Sequence, residues 1–507
     1  MRYGFVIDQD RCIGCHACTV ACKEEHQVPI GVFRTWVKYV EKGEFPHTSR
    51  HFGVMRCNHC DSAPCVEICP THALYRRSDG IIDFDNRRCI GCKGCMQACP
   101  YDALYIDPNT NTAAKCNFCA HRIENKIEPA CVIVCPTQAI LAGDLDDPSS
   151  TVSRVVATQK VSVRKPQKGT EPKLFYKGIE GDVIQPARLS RQNTYMFAEQ
   201  RDDRPNNHRD KGFDSSLTRE TYDVAHPAPW GGKIAAYLWT KSIAAGVLMV
   251  AALLAGSVGP GVWLRVFSPG IAVVALIVTG ALLVFDLKRP DRFLYLLTKS
   301  NFRSWLVLGA YILMAYGALA TAWLLGIFEM PAHEPLFSWR VMLTLILSAG
   351  SAGYSAFLFA QAKGRDLWQS PMFLWHLLLH ALIAGSAVLI ILGWFLGESL
   401  VTEGSMVVLM LAMMVSLLMV LAELALPHVS EDAKRAADTL TRGPLRLRFW
   451  GLVIGAGLLL PIVLAISVLS SKAERDFTAI LVAVLALAGV WFFEDLWVKA
   501  GQAVPLS

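Results

Sequence analysis

CIGCKGCMQACP, residues 89–100, decides how the first third of this chain folds. Its cysteines follow one another at intervals of three, three and four. One tight loop can then wrap three corners of a polynuclear metal centre, and the fourth thiolate points away toward a neighbouring one. The pattern recurs. CIGCHACTVAC spans residues 12–22, CNHCDSAPCVEICP starts at Cys57 and CNFCAHRIENKIEPACVIVCP starts at Cys116, so four groups of four cysteines make an internal repeat. All 16 cysteines lie between Cys12 and Cys135, and every long apolar run lies after them. Two different domains are implied.

Sixteen thiolates satisfy four [4Fe-4S] clusters with none left over, which makes metal ligation a better use of the cysteines than a disulfide framework. The opening stretch MRYGFVIDQDRC has no apolar signal core and no twin arginine, so the expectation is a reducing compartment. Structural zinc is the rival, but triplet CxxCxxC loops followed by Cys-Pro are unusual in zinc ribbons. A catalytic cluster would lack one cysteine so that substrate reaches iron. That vacancy is absent, so the clusters read as a wire. Segments such as GIIDFDNRRC and ALYIDPNTNTAAKC read as short strands and turns around the cysteine loops, giving an α+β ferredoxin-like domain over residues 1–148. With thiolates filling the cluster sites, His16, His26, His59, His72 and His121 are read as surface residues or neighbours of ligands.

Residues 149–227 are polar and irregular, with runs such as RKPQKGTEP and EQRDDRPNNHRDKG that bury little apolar surface, and are read as an extension and linker. From 228 to 499 the chain carries eight apolar segments of spanning length, near 234–258, 263–286, 304–328, 338–361, 372–397, 405–426, 449–470 and 477–499, with 500–507 as a tail. A hydrophobic content of 53% fits a chain lying partly in lipid, and the modest charge of +6 suggests no nucleic-acid partner. Lys288, Arg289, Arg292, Lys299, Arg303, Lys363, Arg365, Lys434, Arg435, Arg442, Arg446 and Arg448 share one side. Glu329, Glu334, Glu398 and Glu403 mark the other. The positive-inside rule then predicts a multi-pass protein of the cytoplasmic membrane with its cysteine domain in the cytoplasm.

Ionisable residues inside apolar spans are costly, and Lys241, Asp286, His376, His380, Glu423, Glu494 and Asp495 all fall in the half of the bilayer nearer the cysteine domain. Asp286, Glu494 and Asp495 are read as helix-end residues, which snorkel at little cost. Quinone chemistry needs two electrons and two protons in one place. The expected pocket therefore combines Lys241, His376, His380 and Glu423 with aromatic walls from Tyr237, Trp305 and Tyr311. His376 and His380 stand at i and i+4 on one helical face and cannot grip opposite faces of one haem, so no haem is expected.

The cysteine groups, with KPQKGTEPKLFY after them, resemble the four-cluster electron-transfer subunits of the dimethyl sulfoxide reductase family of molybdopterin enzymes, over nearly all of residues 1–180. That resemblance, joined to the rule for the fourth cysteine, implies that the first group pairs with the fourth and the second with the third. The implied ligand sets are Cys12, Cys15, Cys18 with Cys135; Cys116, Cys119, Cys131 with Cys22; Cys57, Cys60, Cys65 with Cys99; and Cys89, Cys92, Cys95 with Cys69. PWGGKIAAYLWTKSIAAG and FDLKRPDRFLYLLTKSNFRSWLVLGAYIL resemble the polysulfide reductase type of membrane anchor, the NrfD family. Together the resemblances imply a non-catalytic redox subunit that passes electrons between quinone or quinol and a separate large subunit carrying molybdenum or tungsten bis-pterin. They also map a quinone site onto Tyr237, Lys241 and Tyr311. A redox-driven proton or ion transporter is the alternative, resting on Glu423 and Arg340.

Overall fold

Each cysteine run bends its backbone in the same way. The residue before the second cysteine takes a left-handed conformation in all four: Gly14 at φ 70°, His59 at 44°, Gly91 at 69° and Phe118 at 62°. Such a turn aims backbone N–H groups inward. Gly91 N donates to Cys89 Sγ at 3.4 Å and His59 N to Cys57 Sγ at 3.5 Å. Glycine takes this conformation freely, whereas His59 and Phe118 must be held in it by packing. Phe118, fully buried, stacks on Phe5 with ring centroids 4.0 Å apart and meets His59 edge-on at 5.4 Å.

The computed structural model describes residues 1–44, 46–185, 189–191, 218–259, 261–328, 334–471 and 477–507. These form two compact units, Met1–Pro229 with Pro505–Ser507, and Trp230–Val504. The charged run at 199–212 and Glu329 lie outside the described residues. In the first unit, short helices follow the cysteine loops, and two three-residue hairpins, Leu74–Arg76 with Ile82–Phe84 and Leu104–Ile106 with Ala113–Lys115, flank the second and third groups. A four-stranded sheet holds Tyr3–Asp8 between Ile140–Asp144, antiparallel to it, and Leu174–Lys177, parallel to it. A second sheet is built on the antiparallel hairpin Thr35–Glu44 and His47–Arg56, with Thr218–Tyr222 added at its edge. The described parts of the polar stretch after residue 149 are thus woven into both sheets. An alternation of apolar and polar residues, as in LFYK at 174–177, is enough to bury one face of such a strand.

The second unit contains eight helices long and apolar enough to cross a membrane. In chain order they are α1 (Gly232–Val258), α2 (Trp263–Asp286), α3 (Trp305–Leu324), α4 (Trp339–Gln361), α5 (Met372–Leu396), α6 (Ser399–Ala425), α7 (Arg448–Ser470) and α8 (Phe477–Ala503). The last runs four residues past the expected boundary at 499. α1 and α5 are the most enclosed, while α2 and α3 show most of their surface outward. Gly246 of α1 and Gly385 of α5 explain the closeness of that pair. A Cβ on Gly246 would strike the Ala381 carbonyl, and a Cβ on Gly385 would strike the Gly246 backbone. Without a hydrophobic driving force in lipid, such small-residue crossings carry the packing. The first half of α7, Arg448–Leu459, is wound as a π-helix just before Pro461, whose ring has no N–H to continue the regular ladder.

Candidate functional site

The thiols gather in four sets. Cys12, Cys15, Cys18 and Cys135 line one hollow, and Cys57, Cys60, Cys65 and Cys99 line another. Burial pushes the Cys22 thiol far up, and its next strongest influences are Cys116 and Cys131, with Cys119 also acting. Burial likewise raises Cys95 well above its ordinary value, followed by Cys92, Cys89 and Cys69. In each set, three members come from one run and the fourth from another.

Neighbouring sets influence one another electrostatically in single file. Burial pushes Cys18 up to about 11, and Cys131 of the next set is among the groups that add to this. Cys116 is raised by burial and then feels Cys57, and Cys95 feels Cys65. Among the described residues no three Cys, His, Asp or Glu side chains converge on a point where one ion would sit. A cubane spreads its four thiolates around four irons, and the donor sets fit it.

Two contacts to thiols of these sets have no motif to announce them. His26 Nε2 lies 3.1 Å from Cys119 Sγ, and Arg56 Nη1 donates to Cys131 Sγ at 3.1 Å. Burial, and then Arg34, push the His26 imidazole down to about 4. His16, by contrast, bonds Tyr39 OH at 2.9 Å, and exposed His121 bonds Glu25 at 2.6 Å. His59 accepts from the Ile82 N–H at 3.2 Å.

In the membrane unit the seven expected pocket residues separate. Tyr237 and Lys241 meet on the inner side of α1, where Lys241 Nζ donates to Ala352 O at 2.9 Å and to Ser355 Oγ at 2.6 Å, and Tyr237 OH donates to the same Ser355 oxygen at 3.2 Å. Tyr354 lies under the ammonium, 4.7 Å from ring centre to Nζ. His376 and Glu423 form a second group: Nε2 to Oε2 is 3.2 Å, and Ser370 donates to Oε1 at 2.6 Å. His380 sits one turn along, its ring 6.2 Å from that of His376, and pairs with Glu494 at 3.3 Å. Trp305 stacks on Phe357 at 4.3 Å, and Tyr311, 37% exposed, stacks on Phe302. Arg340 lies at the start of α4 over the Trp339 ring.

Glu494 differs from its expected helix-end role. It lies nine residues inside the end of α8, is 1% exposed, and also accepts from Ser242 at 3.3 Å. Hydropathy alone put the end of that helix too early.

Beside Glu423 lies an apolar hollow, lined by His428, Phe449, Phe493, Leu496 and Trp497 among others. Phe493 and Trp497 stack at 5.7 Å to form its aromatic wall, and Phe493 is also shared with a smaller cavity reaching His380. His376 is fully buried, and its Nδ1 has no hydrogen-bond partner.

Residues 221–505 match the family described as polysulphide reductase, NrfD. Residues 49–145 match the 4Fe-4S dicluster domain and residues 3–24 the 4Fe-4S binding domain, so the first unit is an iron–sulfur domain. A tetrathionate reductase subunit of Salmonella typhimurium is 45% identical over 189 residues, covering 36% of this chain and 76% of that protein. A polysulfide reductase subunit of Wolinella succinogenes is 42% identical over 177 residues, covering 34% and 93%. The arsenate respiratory reductase iron-sulfur subunit of a Shewanella species is 35% identical over 224 residues, covering 35% and 96%.

Proposed function

The chain belongs to the polysulphide reductase NrfD family, and from that premise we propose that it is the electron-transfer and membrane-anchor subunit of a larger reductase. Electrons pass between the membrane quinone pool and a separate catalytic chain through four [4Fe-4S] clusters. The observation that carries this reading is the gathering of sixteen thiols into four sets in single file. The ligand sets are the four named above, and the file runs from the Cys12 set through the Cys116 and Cys57 sets to the Cys89 set. Each bound cluster exchanges one electron. The protein's own part is to space the thiolates, shield them from water and supply N–H groups to their sulfurs.

The similarity to subunits of tetrathionate, polysulfide and arsenate reductases supports a separate catalytic partner, and the resemblance of the cysteine groups to the dimethyl sulfoxide reductase family implies molybdenum or tungsten bis-pterin in it. For quinone, the cavity beside Glu423 is the best-supported site. Its apolar walls suit a ring and prenyl chain, and the His376–Glu423 pair can take up or release the protons that accompany two-electron quinone chemistry. Lys241 and Tyr237 are already satisfied by α4 and support the helix packing instead. The basic loops between α2 and α3, α4 and α5, and α6 and α7 favour a cytoplasmic iron–sulfur domain.

Metal content of the complex, purified anaerobically from its native membrane, tests the reading. About sixteen irons per chain, with molybdenum or tungsten in a co-purifying large chain, is the expected result; zinc in place of iron overturns it. The buried string Glu423, His376, His380 and Glu494 favours one second reading, proton movement driven by cluster reduction. Proton uptake by liposomes in the absence of quinone would mark that activity, and uptake only with quinone would exclude it.

A further inference from the structure

Arg56 ends the strand His47–Arg56 and immediately precedes Cys57, yet its side chain turns away from the Cys57 set. Its exposure is 0%. Nη1 donates to Cys131 Sγ at 3.1 Å, and the guanidinium lies over the Phe5 ring at 4.6 Å. Nε and Nη2 have no hydrogen-bond partner, and no carboxylate among the described residues lies within ion-pair distance. The groups that favour its charge against burial are Cys131, Cys116 and Cys18. A permanently charged guanidinium, fully desolvated between an aromatic ring and cysteine ligands, is tolerable where those ligands carry the compensating negative charge. Two other buried cations of this unit have carboxylates instead: Lys173 pairs with Asp61 at 2.9 Å and Lys38 with Glu220 at 2.6 Å.

We propose that Arg56 tunes the electron wire, its fixed charge and its N–H···S bond stabilising the reduced form of the cluster held by Cys116, Cys119, Cys131 and Cys22. The inference rests on the cluster assignment proposed above. In the step concerned, the oxidised cluster gains one electron and no proton, because arginine keeps its charge in both states. The added negative charge appears 3.1 Å from Nη1 and is favoured by it. The potential of this cluster therefore rises, making it a local sink in the file. The Cys18 set is lifted less, having an electrostatic but no hydrogen-bonded link to Arg56. The Cys89 set is not lifted at all.

The test is an EPR-monitored redox titration of the purified complex carrying Arg56→Met or Arg56→Lys, with the relevant signal assigned by its absence in Cys131→Ser. In the Met variant the reduction equilibrium of that one cluster should fall at least tenfold, which is 59 mV for one electron. The Cys89-set signal should not move. Lysine, keeping the charge, should hold the equilibrium within threefold. A Met variant with full iron and unmoved potentials overturns the proposal. So does a Met variant that lacks the cluster, which would make Arg56 an assembly residue, and so does a Lys variant that shifts as far as the Met one. Failure of the cluster assignment itself would already appear in the unmodified protein, as iron content well below sixteen per chain.

Discussion

The two units build their chemistry in opposite ways. In the iron–sulfur unit most ligands of each set sit within one short run, and the four runs share one left-handed turn before the second cysteine. In the membrane unit the main polar contacts join distant stretches of chain. Ser242 of α1, His380 of α5 and Glu494 of α8 meet from positions more than 100 residues apart, and Lys241 of α1 finds Ser355 of α4. A spacing rule therefore announces the first kind of site, whereas the second kind is announced only by the cost of the polar groups it places in lipid.

The fourth thiolate of each set blurs this contrast, and it gives the largest expected effect. Cys22 and Cys131 are far apart in sequence and belong to one set. Cys22→Ser and Cys131→Ser should then remove the same EPR signal and each lower iron by about four atoms per chain. Loss of two different signals would mean that the runs do not exchange ligands and that the iron–sulfur unit is wholly local.

On the membrane side, Glu423→Gln keeps the bond from Ser370 but removes the carboxylate that faces His376. Cluster reduction by quinol should slow by about a hundredfold, the typical contribution of a positioned acid or base, while reduction by dithionite stays unchanged. Lys241→Met should slow the same reaction far less, because its ammonium already has two partners inside the helix bundle. The reverse ranking would move the quinone site to α1 and α4.

A packing test follows in size. Gly246→Ala forces a methyl group against the Ala381 carbonyl where α1 and α5 cross. Overpacking of this kind costs about 1–3 kcal/mol, seen as a lower melting temperature of the membrane unit in detergent while the visible absorbance of the clusters is retained. An equal loss in both units would show that the crossing also supports the iron–sulfur domain.

Much of this was legible before any coordinates. Cysteine spacing gave the loops, and hydropathy gave all eight helices to within a few residues, because both signals are local. The positions of Arg56 and Glu494 were not. Arg56 sits beside Cys57 in sequence, but strand alternation sends its side chain toward Cys131. Glu494 resembles a helix-end residue until α8 is seen to continue to Ala503, with α1 and α5 providing its partners. Composition counts rings, and only packing separates a buried Phe493 from an exposed Tyr311.

The smallest expected effect concerns a part of the iron–sulfur unit assembled as non-locally as anything in the membrane. His226 reaches Asp102 at 2.7 Å and Asp223 at 3.5 Å, and buried Lys38 lies 3.8 Å from the same Asp223. Burial opposes the charge on His226, but the bonds to Asp102 and Asp223 outweigh it and raise the imidazole to about 9. Asp223 is held down to about 2, against its own burial, by His226 and Lys38. Because the folded value of His226 lies above its unfolded value of about 6.5, the protein binds this proton more tightly when folded. The stabilisation is fully present below about pH 6.5 and is lost as pH rises through 9. On the order of 1–2 kcal/mol should disappear across that window. His226→Gln should remove that pH dependence from the thermal loss of cluster absorbance and lower the midpoint at pH 6 more than at pH 9. An unchanged slope would mean that the Asp102–His226–Asp223 contact holds no proton of consequence.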